Sequence, residues 1–200
     1  ATTNSALQML ISYQLTNDER YLCKLGGLGQ WIFDTQIGLG AVRGWCQQYD
    51  LYNKPIQARH FEMPVIEPRT FTRFVAPLAT WFYALTGNER YRKILREGYA
   101  WLRSVETPSG WSYQYLPDGT PVVGWQYRLL RFDDPEGWPP DSLMGGNSEW
   151  KSFSRNKVDL RGVERILSII KTGGLDSLRI LINQTRHLDH AYMQWRLDAA

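Results

Sequence analysis

The sequence predicts an all-α protein, an incomplete α/α toroid of two to three helical hairpins with long irregular connecting loops. Three observations predict it. The segment Tyr13-Gln14-Leu15-Thr16-Asn17-Asp18-Glu19-Arg20-Tyr21 recurs as Tyr83-Ala84-Leu85-Thr86-Gly87-Asn88-Glu89-Arg90-Tyr91, an offset of 70 that Trp31 and Trp101, and Gly40 and Gly110, also keep. A register held across such unlike residue types marks a structural repeat. Apolar residues in and around each copy fall at steps of three and four, the spacing of one helix face. The turns inside each hairpin are about three residues, whereas the connections between hairpins far exceed the roughly 2 to 8 residues usual between bundle helices.

The elements follow in order. The first hairpin runs from about Asn4 to Phe33 and turns at Thr16-Asn17-Asp18. In the second, Phe71, Phe74, Val75, Leu78 and Phe82 line one helix face, and Thr86-Gly87-Asn88 ends that helix because Gly or Asn takes the left-handed conformation there. Tyr91, Ile94, Leu95, Gly98, Trp101 and Leu102 then resume the stripe. A third, looser pair comprises Val158, Leu160, Val163, Ile166, Leu167 and Ile170, a stop at Lys171-Thr172-Gly173-Gly174, and Leu175, Leu178, Leu181 and Ile182. It is either a further repeat or an ordinary hairpin. The long connections, about 36–69 and 106–155, leave the helices at the end opposite the short turns, so function is expected on that face. Within the second, residues 133–156 form a Pro/Gly-rich loop around Trp138 and Trp150, read as a groove wall or a peripheral clamp.

Composition bounds the function. Two hundred residues, 43% hydrophobic and 22% charged, make a single domain over 1–200 with a real core. No apolar run approaches the roughly 18 residues of a membrane span. The net charge of +3 is spread along the chain without a Lys/Arg block, so neither nucleic acid nor membrane is an expected partner. Nine Trp and eleven Tyr suit either stacking on sugar faces or anchoring a core rim. Two cysteines, Cys23 and Cys46, exclude a zinc framework and permit one disulfide at most. The chain starts without Met, which reads as a processed protein or a fragment.

Chemistry concentrates in the first long connection, in Gly44-Trp45-Cys46-Gln47-Gln48-Tyr49-Asp50 and Gln57-Ala58-Arg59-His60-Phe61-Glu62-Met63-Pro64. Amide, carboxylate, aromatic and arginine groups share a segment that reads as loop. Together with the helix pair that follows, these residues resemble the C-terminal half of the α/α toroid pectate lyases (polysaccharide lyase family 10), which carry W-C-x-Q-x-D, then A-R-x-[FY]-E-x-P, then a helix pair. The match covers about residues 1–115.

The resemblance implies β-elimination on a 1,4-linked uronic-acid polymer, pectate or a related anionic polysaccharide, by a secreted or periplasmic enzyme. A base removes the C5 proton of a uronate while calcium and arginine neutralise its carboxylate. Arg59 matches the arginine that the family uses as base. Arginine is ordinarily always protonated, so this role requires cationic neighbours and burial to lower its pKa; without them Arg59 binds carboxylate through its bidentate fork. The substrate-binding candidates around it are Arg43, Trp45, Asp50, His60 and Glu62. Arg128 and Arg131 join them as the nearest counterparts of a later arginine element, although Gly124-Trp125-Gln126-Tyr127-Arg128 fits that element loosely. Arg69 or Arg73 offers a second carboxylate contact.

Other readings remain. Asp50, Glu62 or Glu67 could serve a toroid hydrolase, which needs two carboxyls about 5 to 9.5 Å apart across the bond. Trp45 and Glu62 could instead orient the loop, and Arg59 could simply pair with Glu62 or Asp50. His187-x-x-His190 has helical metal-ligand spacing without a third ligand, so no protein metal ligand is assigned. The family's calcium aspartates precede the W-C-x-Q-x-D segment by more than the 44 residues present, so the chain is expected to be the C-terminal part of a larger toroid. A catalytically silent carbohydrate-binding or scaffold fragment is the remaining alternative.

Overall fold

The computed structural model describes residues 2–134, 136, 138–140, 153–154 and 158–198. Helix α1 (Thr2–Thr16) is followed by the short α2 (Arg20–Cys23) and by α3 (Gly26–Asp34). A continuous helical segment then comprises α4 (Pro68–Thr70), a π-helical turn (Phe71–Val75) and α5 (Ala76–Thr86). Helix α6 (Glu89–Ser104) follows, then strands β1 (Gln114–Tyr115), β2 (Pro121–Trp125) and β3 (Arg128–Arg131), and finally α7 (Arg161–Asp198), which leaves helical geometry at Gly174. Among the described residues no helix is long and apolar enough to cross a membrane.

The predicted helical repeat is real down to individual hydrogen bonds. In the first hairpin the Thr16 hydroxyl donates to the Ser12 carbonyl, Asn17 adopts φ 55°, and Asp18 Oδ1 accepts from the Arg20 N–H at 3.0 Å. In the second, Thr86 donates to Phe82, Gly87 adopts φ 67°, and Asn88 Oδ1 accepts from Arg90 N–H at 3.0 Å. Both turns therefore end one helix on a left-handed residue and offer a short acceptor side chain to the N–H two residues on, Asn88 being the N-cap of α6. The second arm of the first copy differs: it breaks into α2 and α3 before Gly26-Gly27, where α6 runs unbroken for 16 residues.

The all-α expectation is wrong. The chain is about 51% helical and carries a three-stranded antiparallel sheet in the order β1-β2-β3, so it is a mixed α/β protein. Tyr115 pairs with Pro121 across one turn and Trp125 with Arg128 across the next. The physical reason is local. Pro117-Asp118-Gly119-Thr120 is a strong turn sequence, Gly119 takes φ 90°, and the strand that follows is rich in β-branched and aromatic residues. Part of what reads as a long irregular connection is sheet.

The main core joins α1, α3, α5, α6 and α7. Leu10, Ile32, Leu78, Leu95, Leu102 and Leu178 are fully buried, each worth about 1.5–3 kcal/mol of transfer free energy before entropy is charged against it. All six residues of the stripe predicted from Tyr91 to Leu102 face this core. Cys23 is exposed and Cys46 buried, and neither is in a disulfide. The Gly174 break falls where Lys171-Thr172-Gly173-Gly174 predicts a stop. The side chains of His187 and His190, Trp150, and most of 133–156 lie outside the described residues.

Candidate functional site

Two copies of one loop design build the site. Trp45-Cys46-Gln47-Gln48-Tyr49 recurs as Trp111-Ser112-Tyr113-Gln114-Tyr115, at an offset of 66 rather than 70, because Gly40 precedes its Trp by five residues and Gly110 by one. The geometry repeats as well. Trp45 Nε1 donates to the Ile32 carbonyl at 2.9 Å and Trp111 Nε1 to Leu102 at 2.7 Å, so each indole satisfies a carbonyl at the end of the preceding helix. Tyr49 and Tyr115 hydroxyls accept from the Cys46 and Ser112 N–H groups. Each loop then turns back on itself, pairing Tyr49 with Pro55 and Tyr115 with Pro121.

Between these two loops runs the segment from Arg59 to Glu67. Ile66 exchanges both backbone hydrogen bonds with Tyr115 at 2.9 Å, and the Glu67 N–H donates to the Trp45 carbonyl at 2.9 Å. Arg59-His60-Phe61-Glu62 is a tight turn closed by the Glu62 N–H on the Arg59 carbonyl at 3.0 Å. A second turn, Trp125-Gln126-Tyr127-Arg128, stands 66 positions on. The turns dock: the Tyr127 N–H donates to the His60 carbonyl at 2.9 Å, Gln114 Nε2 donates to the Phe61 carbonyl at 3.1 Å, and the His60 ring meets Trp125 edge-on. Gly124 is required here, since a Cβ on it would run into the Phe61 carbonyl.

The electrostatics are concentrated behind the first turn. The Arg59 guanidinium is 58% exposed and pairs with the Glu62 carboxylate, which is 1% exposed. That pairing pushes the Arg59 pKa up, the opposite of what a base requires. Glu67 is 4% exposed, and burial pushes its pKa to about 7 against the pull of Arg69; Glu62 raises it and Arg73 and Arg59 lower it. Burial, then Glu67, raises Tyr113. Glu62 Oε2, Glu67 Oε2, Thr70 Oγ1 and Gln114 Oε1 are buried without a hydrogen-bond partner among the described residues. Arg69 is half-buried and has no ion-paired carboxylate among the described residues.

The structure separates the sequence-predicted residues into two groups. Arg59, His60 and Glu62 share the first docked turn, and Arg128 closes the second. Trp45 does not: it is fully buried and stacked on Phe71, so it shapes the loop and touches no substrate. Arg43 is committed to Glu97 at 3.2 Å and to the Gly40 and Val42 carbonyls. Asp50 caps its own turn by accepting from Tyr52 and Lys54 N–H groups. Arg131 pairs with Asp133 at 2.8 Å. Tyr113 and Gln114 were missed, and the W-x-x-Q-Y recurrence was the signal that could have found them.

Calcium is implied by the family resemblance, and the residues present do not suit it. Among the described residues no group of three or more His, Cys, Asp or Glu is arranged to hold a metal. Glu62 and Glu67 are two carboxylates under the positive field of Arg59, with Arg69 and Arg73 also acting on Glu67, where a hard cation favours many oxygen ligands. Comparison with protein-family models, with curated proteins and with solved structures finds no match to this chain.

Proposed function

We propose that this chain acts on a 1,4-linked uronic-acid polymer, pectate or a related anionic polysaccharide, as a polysaccharide lyase. The observation that carries the reading is the exposed Arg59 guanidinium anchored by the buried Glu62 carboxylate, with the half-buried Arg69 acting on the neighbouring Glu67. Arg59 is the carboxylate binder of this proposal and not the base, because Glu62 holds it protonated. A bound, neutralised carboxylate acidifies the C5 proton. The base takes that proton, its electron pair forms the C4–C5 double bond, and the C4–O bond breaks as the leaving oxygen gains a proton.

Glu67, buried behind Arg59 and pushed up to about 7, sets the charge of the site near neutral pH without touching the substrate. A secreted or periplasmic setting accompanies the proposal. Incubation with polygalacturonate tests it through the unsaturated uronide chromophore, whose rate should inflect near pH 7 and lose that inflection in Glu67→Gln. New reducing ends without the chromophore would indicate a hydrolase instead. Glu62 and Glu67 are both buried, which counts against that second reading. Binding with neither product would indicate a silent carbohydrate-binding module.

A further inference from the structure

The second docked turn carries features that the first does not explain. Gln126 and Tyr127 adopt φ 44° and 66°, the mirror-image two-residue turn that β-hairpins favour, yet the usual Asn-Gly is absent and both residues carry side chains that resist this region. Such strain persists only where the surroundings impose it, and it concentrates at binding sites. Here the surroundings are the first turn itself: the Tyr127 N–H is bound to the His60 carbonyl and Gly124 is packed on Phe61. The turn is thereby fixed next to Arg59. Its tip is open, with Tyr127 67% exposed and Arg128 exposed and without an ion pair among the described residues.

We propose that the Gln126–Arg128 tip is a second sugar-binding subsite, in which the Tyr127 ring lies against the apolar face of a pyranose and Arg128 takes the carboxylate of a uronate adjacent to the one held by Arg59. The inference rests on the uronan reading above. An aromatic face paired with an arginine suits an acidic sugar better than a neutral one, since ring and charge are both satisfied. The rigid docking of the two turns holds the subsites at one spacing, so the tip favours a polymer over a single sugar.

The test is binding of polygalacturonate and of galacturonic acid to the full chain and to three variants, by calorimetry. Tyr127→Gly should weaken polymer binding about five- to tenfold while melting no lower than the parent, because glycine relieves the strained φ. Tyr127→Phe should bind the polymer within about twofold of the parent. Arg128→Gln should weaken polygalacturonate binding but leave binding of its fully methyl-esterified form unchanged. Parent-like polymer binding by Tyr127→Gly, or no binding of polygalacturonate by the parent, overturns the subsite. Chromophore release by a parent whose KM is unmoved by Tyr127→Gly sinks the subsite and leaves the lyase standing. Weakened binding without any chromophore supports the subsite and sinks the lyase.

Discussion

Replacing Glu67 by Gln should stabilise the protein in a strongly pH-dependent way. Glu67 is buried, one of its oxygens has no hydrogen-bond partner among the described residues, and its pKa rises from 4.5 to about 7. The unfolded chain releases this proton near 4.5 and the folded chain near 7, so between those values the folded state binds more protons and loses stability as pH rises. Below about 4.5 the carboxyl is neutral in both states and the penalty is absent. Above about 7 it is charged in both, and the penalty stands in full at roughly 3 kcal/mol. Gln mimics the neutral carboxyl and never charges. Relative to the parent, Glu67→Gln should therefore be near neutral at pH 4 and more stable by about 3 kcal/mol at pH 8, or roughly 6–12 °C in Tm for a domain of this size. Urea and thermal melts of both proteins from pH 4 to pH 8 read this difference, in which titrating groups that do not interact with Glu67 cancel. A difference that is flat with pH, or one that favours the parent at pH 8, would refute the burial argument.

Three further outcomes follow from the site. Arg59→Ala strands the Glu62 carboxylate in the interior and should cost about 1–3 kcal/mol, the low end reflecting the arginine's own exposure; adding Glu62→Gln should restore most of that stability in a denaturant melt, but not activity on polygalacturonate. Gly124→Ala drives a methyl into the Phe61 carbonyl and should cost about 1–3 kcal/mol, with the Arg59 turn displaced and polymer binding weakened alongside. Asn88→Ala removes the N-cap of α6 and should cost about 1 kcal/mol while leaving polymer binding unchanged, which separates stability from site geometry.

The helical part of the fold is legible in the sequence because its causes are local. Periodicity places Tyr91, Ile94, Leu95, Gly98, Trp101 and Leu102 on one face, and all six are buried. The left-handed residues after Thr16 and Thr86 can be read from Asn17 and Gly87 themselves. The sheet was equally local in part, since Pro117-Asp118-Gly119-Thr120 is a turn signal, but Gln126-Tyr127 is not one. That second turn forms because tertiary contacts with His60 and Phe61 impose it on residues with no preference for it.

The site divides in the same manner. The concentration of arginine, acid and aromatic groups around Arg59 is legible from the sequence alone, in a segment that reads as loop. Whether each faces inward or outward is decided by packing. An indole can stack on sugar or cap a helix, and the carbonyl of Ile32 settles that Trp45 does the latter. Arg43 and Asp50 were equally ambiguous until Glu97 and the backbone of their own turns claimed them. The helical repeat and the cluster of reactive residues between its copies are readable along the chain, because spacing and composition are carried by sequence neighbours. That two turns 66 positions apart dock as one surface, and that Glu62 is buried against Arg59, comes from the fold, because docking and burial are properties of distant segments brought together.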